Sequence, residues 1–205
     1  ASGSNLTITT PNAVWVHGNV SSGFINISQA SVVFVNSTGR INASGLGYAA
    51  GGGPGAGTGS CHAGGGYGGR GGNGPGTGGS SYGTAADGGA QWGSGGGGGC
   101  WPGGNGGGRI RVNATVINVT GTIESVGVGR NDGGPGSGGG ITLVGTNVTI
   151  SGVINATGGS YNNGGFGGGG RITINAINLN VIGNIIATSP TGTNQGTNGT
   201  VFLEF

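Results

Sequence analysis

A repeat of about 31 residues restricts the fold more than any other feature of this sequence. Gly121, Gly152 and Gly183 are equally spaced, and each begins a short stretch in which apolar and polar residues alternate. The same phrase begins earlier in the chain, at Gly39. Alternation of this kind predicts a β-strand with one buried face. The apolar residues that follow these glycines form a first column: Ile41, Ile123, Ile154 and Ile185.

Two further apolar columns keep the same period. The second column follows each glycine-rich tract and contains Ile110 and Val112, Ile141 and Leu143, Ile172 and Ile174, and Val201 and Leu203. The third column precedes the next anchoring glycine and contains Ile117 and Val119, Val148 and Ile150, and Leu179 and Val181. The pattern therefore predicts three short strands in each period.

One period alone cannot cover the apolar face of its strands, whereas periods stacked in parallel about 4.8 Å apart form ladders of like residues. The sequence predicts a single all-β domain over residues 1–205, a parallel β-helix with coils of about 31 residues. Parallel crossovers are almost always right-handed, so we expect a right-handed coil. The alternative is a β-sandwich or jelly roll, in which short hairpin turns would replace the fixed phase seen here.

The composition excludes several classes of function. Glycine is present 60 times, Lys and Arg together 6 times and Asp and Glu 4 times, and the net charge is +2. A charge this small cannot coat a nucleic acid, and no stretch approaches the roughly 18 apolar residues of a membrane-spanning helix. The chain begins at Ala1 without a leader of basic and apolar residues. We therefore expect a processed, secreted protein with no nucleic-acid partner and no membrane span.

Glycine-rich excursions at about residues 45–108, 127–139, 158–170 and 189–199 share one phase of the repeat, which places them on one side of the coil. Glycine loses much conformational entropy on ordering, so these tracts are either unstructured loops or extended segments that hydrogen-bond to one another like polyglycine helices. The longest tract favours order because it holds five large aromatic residues, which either pack or stack on carbohydrate. They are Tyr48, Tyr67, Tyr82, Trp92 and Trp101.

Both cysteines of the chain, Cys61 and Cys100, lie in the insertion at residues 45–108. In a secreted chain they predict one disulfide, which would staple this insertion and stabilise it by about 4 kcal/mol in the chain-entropy model. The alternative is a metal site built from Cys61, His62 and Cys100, which lacks a fourth ligand and the usual ligand spacing. We expect no metal and no cofactor.

Ten Asn-x-Ser/Thr triplets occur where composition alone predicts about four. A covalent N-glycan on each would supply the solubility that charged side chains normally give. The alternative is that Asn and Thr simply suit the outward positions of strands. The candidate glycosylation sites are Asn5, Asn19, Asn26, Asn36, Asn42, Asn113, Asn118, Asn147, Asn155 and Asn198.

The columns and glycine tracts resemble those of the glycine-rich, right-handed parallel β-helices of secreted surface proteins, over most of residues 13–205. The dense triplets, the absence of lysine and the low cysteine content are similar to those of glycosylated extracellular filament subunits of thermophilic archaea. The resemblance implies a secreted structural subunit at the cell surface. It does not imply catalysis. The four acidic residues are scattered, with Glu124 on the outward side of its strand, so we predict no catalytic residue and no enzyme activity.

Strands at both ends of the chain predict how copies would join. Residues 5–9 and 200–205 form apolar strands without a polar cap, and such strands can add to a neighbouring copy, head to tail, in an open filament. The alternative is a surface adhesin that binds glycans through its glycine-rich, aromatic side, with Arg40, Arg109, Arg111 and Arg171 meeting anionic sugars. The predicted polymerisation contacts are Leu6, Ile8, Val201, Leu203 and Phe205.

Overall fold

The fold is that of a computed structural model, which describes residues 3–59, 62–87, 89–98, 101–130, 133–160 and 165–205. Within these ranges the protein is all-β, with twelve strands and one turn of 3-10 helix at Ala85–Asp87. The strands are β1 (Asn5–Thr9), β2 (Val14–Val16), β3 (Asn19–Ser21), β4 (Phe24–Val35), β5 (Arg40–Asn42), β6 (Arg109–Val119), β7 (Thr122–Glu124), β8 (Gly140–Ile150), β9 (Val153–Asn155), β10 (Arg171–Val181), β11 (Asn184–Ile186) and β12 (Thr200–Glu204).

The strands form two open sheets, and every pairing between the described strands is parallel. The larger sheet has the order β1-β4-β6-β8-β10-β12, with β2 beside the second half of β4. The smaller sheet has the order β11-β9-β7-β5-β3. Neighbours in each sheet come from successive repeats, as the stacking prediction requires. A sandwich or jelly roll needs antiparallel neighbours, which these pairs do not provide.

The register confirms the columns predicted from the sequence. In the larger sheet Ile110 is opposite Ile141, which is opposite Ile172, which is opposite Val201. In the smaller sheet the first column is likewise in register, through the pairs Ile41 with Ile123, Ile123 with Ile154, and Ile154 with Ile185. One period of the sequence therefore moves the chain by one strand position in both sheets.

The prediction of three short strands in each period is wrong. The second and third columns lie on one long strand of eleven or twelve residues, and only the first column forms a separate three-residue strand. The residues between the two columns stay in the ladder, as Asn113 does opposite Val144 and Ala176 opposite Gly145. The register of β4 against β6 shifts between Ile27 and Ala30, where Gln29 has a φ of 61°.

The inward residues of both sheets form one hydrophobic core. Fully buried members include Ile25, Ile41 and Ile123, and burying an isoleucine side chain contributes about 1.5–3 kcal/mol. The core thins toward the last repeat. Leu179 and Ile185 are only partly buried against it, whereas the residues that precede them in the same columns are buried.

The glycine-rich tracts pack against one another, so the packed alternative describes them better than unstructured loops do. Their backbone hydrogen bonds return to the same neighbouring tract at every third residue, which is the period of a polyproline II helix. We call these packed tracts the polyglycine bundle; it comprises residues 43–57, 62–72, 92–98, 103–108, 125–129, 133–139, 156–160, 165–170, 187–190 and 194–199. The repeating bonds include Gly93 N to Gly107 O, Gly96 N to Gly104 O, Gly104 N to Gly134 O and Gly107 N to Ser137 O, with N–O distances of 2.8, 3.0, 2.8 and 2.9 Å.

The period of the sheets also governs the bundle. Gly139 N donates to Ser125 O at 2.8 Å, and Gly170 N, one period later, donates to Ala156 O at 2.7 Å. The backbones approach so closely that a Cβ on most of these glycines would collide with a neighbouring carbonyl oxygen, as a Cβ on Gly96 would with Gly134. Close approach of backbones therefore accounts for the glycine content of the tracts.

Candidate assembly edges and surface sites

The predicted polymerisation strands lie at the two opposite edges of the larger sheet. At one edge, β1 pairs with β4 and places Leu6 opposite Ile25 and Ile8 opposite Ile27. At the other edge, β12 pairs with β10 and continues the same inward columns with Val201 and Leu203. Among the described strands none pairs with the outer side of β1 or β12. The two edges therefore carry apolar residues in matching columns.

The apolar surface at the β12 edge extends beyond the residues predicted from the sequence, because Ile177 and Ile182 are exposed there as well. Val201 and Leu203 are 44% and 40% exposed, and Ile177, Ile182 and Phe205 are more exposed still. The strand β12 covers only the first half of β10, Arg171–Asn175, so the second half has no strand on that side among the described residues. Ile177 and Phe205 line a groove of about 420 Å³ there, together with Leu179, Val148 and neighbouring Asn and Thr residues.

None of the ten candidate glycosylation asparagines is buried. Asn5, Asn19, Asn147 and Asn198 are exposed, and the other six are partly exposed at positions between inward residues of their strands or just after a strand. The alternation that buries the isoleucines therefore presents these amides outward.

Three of these triplets also have a local structural role. The Oδ1 atoms of Asn36, Asn42 and Asn155 each accept a hydrogen bond from the backbone N–H two residues later, at 3.1, 2.8 and 3.0 Å. This arrangement is an Asx turn, which explains an Asn at the end of a strand without any modification. In Asn36 the glycan-accepting nitrogen, Nδ2, also lies 2.7 Å from His17 Nδ1, so this site is the least available of the ten.

The aromatic residues of the insertion divide into a packed group and one exposed residue. Tyr67 is fully buried, its hydroxyl accepts a hydrogen bond from Gln91 N at 3.2 Å, and its ring lies 5.0 Å from that of Tyr82. Tyr82 donates to the carbonyl oxygen of Trp92, whose ring contacts that of Tyr48 with 5.7 Å between the centroids. Burial raises the pKa of Tyr67 to about 12 and raises the pKa of Tyr82 as well.

Trp101 differs from this group. Its side chain is 62% exposed, beside the bundle. Of the five aromatic residues predicted either to pack or to stack on carbohydrate, Trp101 is the one placed for contact with a ligand.

Two of the four arginines predicted to meet anionic glycans are engaged within the protein. Arg171 is buried and donates to Tyr82 O and Gly83 O, both from its Nη2 atom, at 3.0 and 2.9 Å, and from Nη1 to Thr200 Oγ1 at 2.9 Å. It therefore ties the insertion to β10 and β12. Arg40 forms an ion pair with Glu124.

Glu124 does not face solvent freely, although strand alternation predicts an outward position for it. It is nearly buried, because the side chain of Arg40 lies over it and Ser44 Oγ donates to it at 3.3 Å. Its carboxylate thus helps to hold neighbouring repeats together.

Some of the sites predicted from the sequence lie outside the described residues. Cys61 and Cys100 lie outside the residues that the structure describes, and with them the predicted disulfide and two of the three ligands of the alternative metal site. Within the described part, no three His, Cys, Asp or Glu side chains come close enough together to hold a metal ion. In the same part of the chain, no helix has the length and hydropathy needed to cross a membrane.

Comparison with protein-family models, with curated proteins and with solved structures finds no significant match for this chain. The functional interpretation therefore depends on the two sheet edges and on the chemistry of the surface.

Proposed function

We propose that this protein is a structural subunit of an extracellular, N-glycosylated filament or surface layer, and that its copies join head to tail through their terminal β-strands. In this proposal each subunit is a right-handed parallel β-helix in which every coil spans one period of the sequence. A secreted location at the cell surface and covalent N-glycans are parts of the same proposal.

The observation that carries the proposal is the matching of the two edges of the larger sheet. The two edge strands, β1 and β12, run in the same direction as the rest of the sheet. Both present inward apolar residues in the same columns: Leu6 and Ile8 on β1, Val201 and Leu203 on β12. A second copy translated along the stack would place its β1 over β12 with the polarity that every other pair has. Such a contact is heterologous and therefore repeats without closing. Phe205 and the groove beside it would add apolar contact area.

The surface chemistry supports a glycosylated assembly. Charged residues make up only 5% of the chain, so solubility needs another source. Three of the ten candidate asparagines form Asx turns, and Asn147 and Asn198 accept hydrogen bonds from Asn178 Nδ2 and Ser189 N. Within the described part of the chain, no such role accounts for the other five: Asn5, Asn19, Asn26, Asn113 and Asn118.

Electron microscopy of edge variants tests the assembly. We expect fibres from the native protein, and monomers from Leu203→Asp, because a carboxylate would be buried in the new contact. Leu203 is 40% exposed, so this change leaves the core of the subunit intact. Thr115→Asp, which places the same charge on an exposed position of an interior strand, is the matched control and should still form fibres. Deleting residues 1–10 should also leave monomers.

Two results would contradict the proposal. One is a native protein that stays monomeric at every concentration, and the other is unchanged fibres from Leu203→Asp. Intact mass before and after glycan removal tests the glycosylation separately, since a chain at bare peptide mass carries no glycan.

A glycan-binding adhesin is the second candidate, and the exposure of Trp101 favours it. An exposed tryptophan can stack on a sugar ring, whereas Trp92 is already packed on Tyr48. A monomer whose binding to a sugar array is lost in Trp101→Ala would support this candidate over the filament.

A further inference from the structure

A small cleft lies on the outer face of the larger sheet, against the segment of the insertion that contains the 3-10 turn. It has a volume of about 170 Å³ and is lined by Asp87 and Ala90 from the insertion and by Arg109, Arg111 and Thr142 from β6 and β8. The strand pattern explains this placement. Ile110 and Val112 face the core, so Arg109 and Arg111 face outward, and Arg111 pairs with Thr142 on the next strand.

Neither arginine of the cleft forms an ion pair with an acidic residue among the described residues. The ion pair found in that part of the chain joins Arg40 and Glu124. The guanidinium of Arg109 lies over the ring of Phe24, 4.6 Å from its centroid. Its Nε atom is buried and has no hydrogen-bond partner. A buried guanidinium donor without an acceptor costs free energy, so the hydrogen-bonding capacity of Arg109 is not satisfied within the protein.

The charges around the cleft favour an anion. Burial, followed by repulsion from Arg111, lowers the pKa of the Arg109 guanidinium, as expected when two like charges face each other without compensation. The carboxylate of Asp87 is engaged by Thr84, whose backbone N and Oγ1 donate to it at 2.6 and 2.7 Å. Two guanidinium groups and one carboxylate leave the cleft with a net positive charge.

We propose that Arg109, Arg111 and Thr142 form a binding site for an oxyanion group, a sulfate or a carboxylate, carried by an acidic saccharide. A guanidinium group recognises a sulfate or a carboxylate through paired N–H donors, and the Thr142 hydroxyl is a further donor group beside the two guanidinium groups. A typical small-molecule pocket measures roughly 300–1000 Å³, so this smaller cleft accommodates one charged group while the rest of the saccharide lies outside it. Asp87 at the rim accepts hydrogen bonds from sugar hydroxyls. The site does not depend on assembly and would serve a filament or a monomer.

Titration at constant ionic strength tests the site. The probes are sodium sulfate, sodium glucuronate, a sulfated tetrasaccharide and an uncharged tetrasaccharide, each followed by calorimetry and by the Nε–Hε signals of the arginines in ¹⁵N-labelled protein. We expect saturable binding of the charged probes, tightest for the sulfated tetrasaccharide, and a shift of the Arg109 Nε–Hε signal. Arg111→Gln should weaken binding at least tenfold. Arg70→Gln removes the same charge from an exposed position outside the cleft and should change affinity less than twofold.

Arg111 is exposed, so Arg111→Gln should fold normally, and the thermal unfolding midpoint verifies this for each variant. Equal weakening in Arg111→Gln and Arg70→Gln would overturn the proposal, because it would show attraction by net charge alone. Absence of saturable binding, or equal binding of the uncharged tetrasaccharide, would overturn it as well. Sulfate that binds as tightly as the sulfated tetrasaccharide would overturn the assignment of a saccharide and indicate a small inorganic anion.

Discussion

The two sheets and the polyglycine bundle bury the same repeating chain by opposite means. In the sheets, Ile110, Ile141 and Ile172 stack in register and fill the core with side chains. In the bundle, backbones approach until only hydrogen bonds lie between them, as between Gly96 and Gly104. The comparison shows that a single sequence period can specify both kinds of packing. It also predicts opposite effects of mutation on stability: removing side-chain atoms should destabilise the sheets, and adding side-chain atoms should destabilise the bundle.

Removing side-chain atoms from the sheet core should have the largest effect. Ile141→Ala deletes a fully buried side chain between two neighbours in its column, and such a cavity costs about 2–5 kcal/mol. Ile177→Ala makes the same change at a position that is 72% exposed and should cost less than about 0.5 kcal/mol. Guanidinium unfolding of both variants measures the difference. Equal losses would mean that the side-chain core does not determine stability.

Adding one carbon to the bundle should cost nearly as much. A Cβ on Gly96 would collide with the backbone of Gly134, which cannot move without breaking its own hydrogen bonds, so Gly96→Ala should cost about 3 kcal/mol, the upper end of the range for overpacking. Gly98 is two residues away in the same tract, and its nearest neighbour to a Cβ is 3.7 Å distant. Gly98→Ala should therefore be neutral or slightly stabilising, because alanine has less entropy to lose. If the two variants behaved alike, the bundle would be a loose loop rather than a packed region.

Alkaline pH should lower the free energy of unfolding, because Tyr67 is buried where the insertion packs on the sheets. Burial raises the pKa of Tyr67 to about 12, above the value of about 10 in an unfolded chain. Because the folded pKa is the higher one, the stabilisation is complete below pH 10 and is lost as the pH rises through 12. The loss at pH 12 amounts to about 2 kcal/mol. Tyr67→Phe should flatten the decline of the free energy of unfolding between pH 10 and 12. The late step in tyrosinate absorbance should be smaller in this variant than in the native protein, because only Tyr82 of this pair then keeps a raised pKa.

The sequence predicted the sheets better than it predicted the bundle. A ladder of Ile41, Ile123 and Ile154 can be inferred from spacing, because each strand repeats the requirement of its neighbour. The merging of two columns into one long strand could not be inferred, since the polar residues between them suit a strand or a turn equally well. The partners of a glycine tract carry no side-chain signal at all. The hydrogen bond from Gly65 to Pro135, for example, joins residues that are far apart in the sequence and do not follow the simple period.

The candidate sites were predictable to a similar degree. The edge strands followed from apolar stretches, and the prediction included Leu203 and Phe205 but not Ile177, whose exposure depends on how far β12 extends along β10. In the sequence, Arg109 and Arg111 could not be distinguished from the other arginines near strand starts. The separation of these arginines into engaged and available pairs depends on where the insertion folds, which no local pattern encodes.

The ion pair of Arg40 and Glu124, where short strands lead into the bundle, should contribute least. Breaking a buried pair costs about 3–5 kcal/mol when a charge remains buried and unpaired, whereas exposed pairs contribute about 1 kcal/mol or less. Arg40 is 51% exposed, and its side chain is what shields Glu124 from solvent. In Arg40→Gln water can therefore reach the carboxylate, which also retains its hydrogen bond from Ser44 Oγ. The pair therefore behaves as an exposed ion pair.

For Arg40→Gln we expect the free energy of unfolding to fall by less than about 1 kcal/mol, and by less again in 1 M NaCl, where charges are screened beyond about 3 Å. Arg130→Gln is the control, because Arg130 has no ion-pair partner among the described residues. A salt-independent loss above about 2 kcal/mol in Arg40→Gln would mean that Glu124 stays shielded from water at the junction of sheet and bundle.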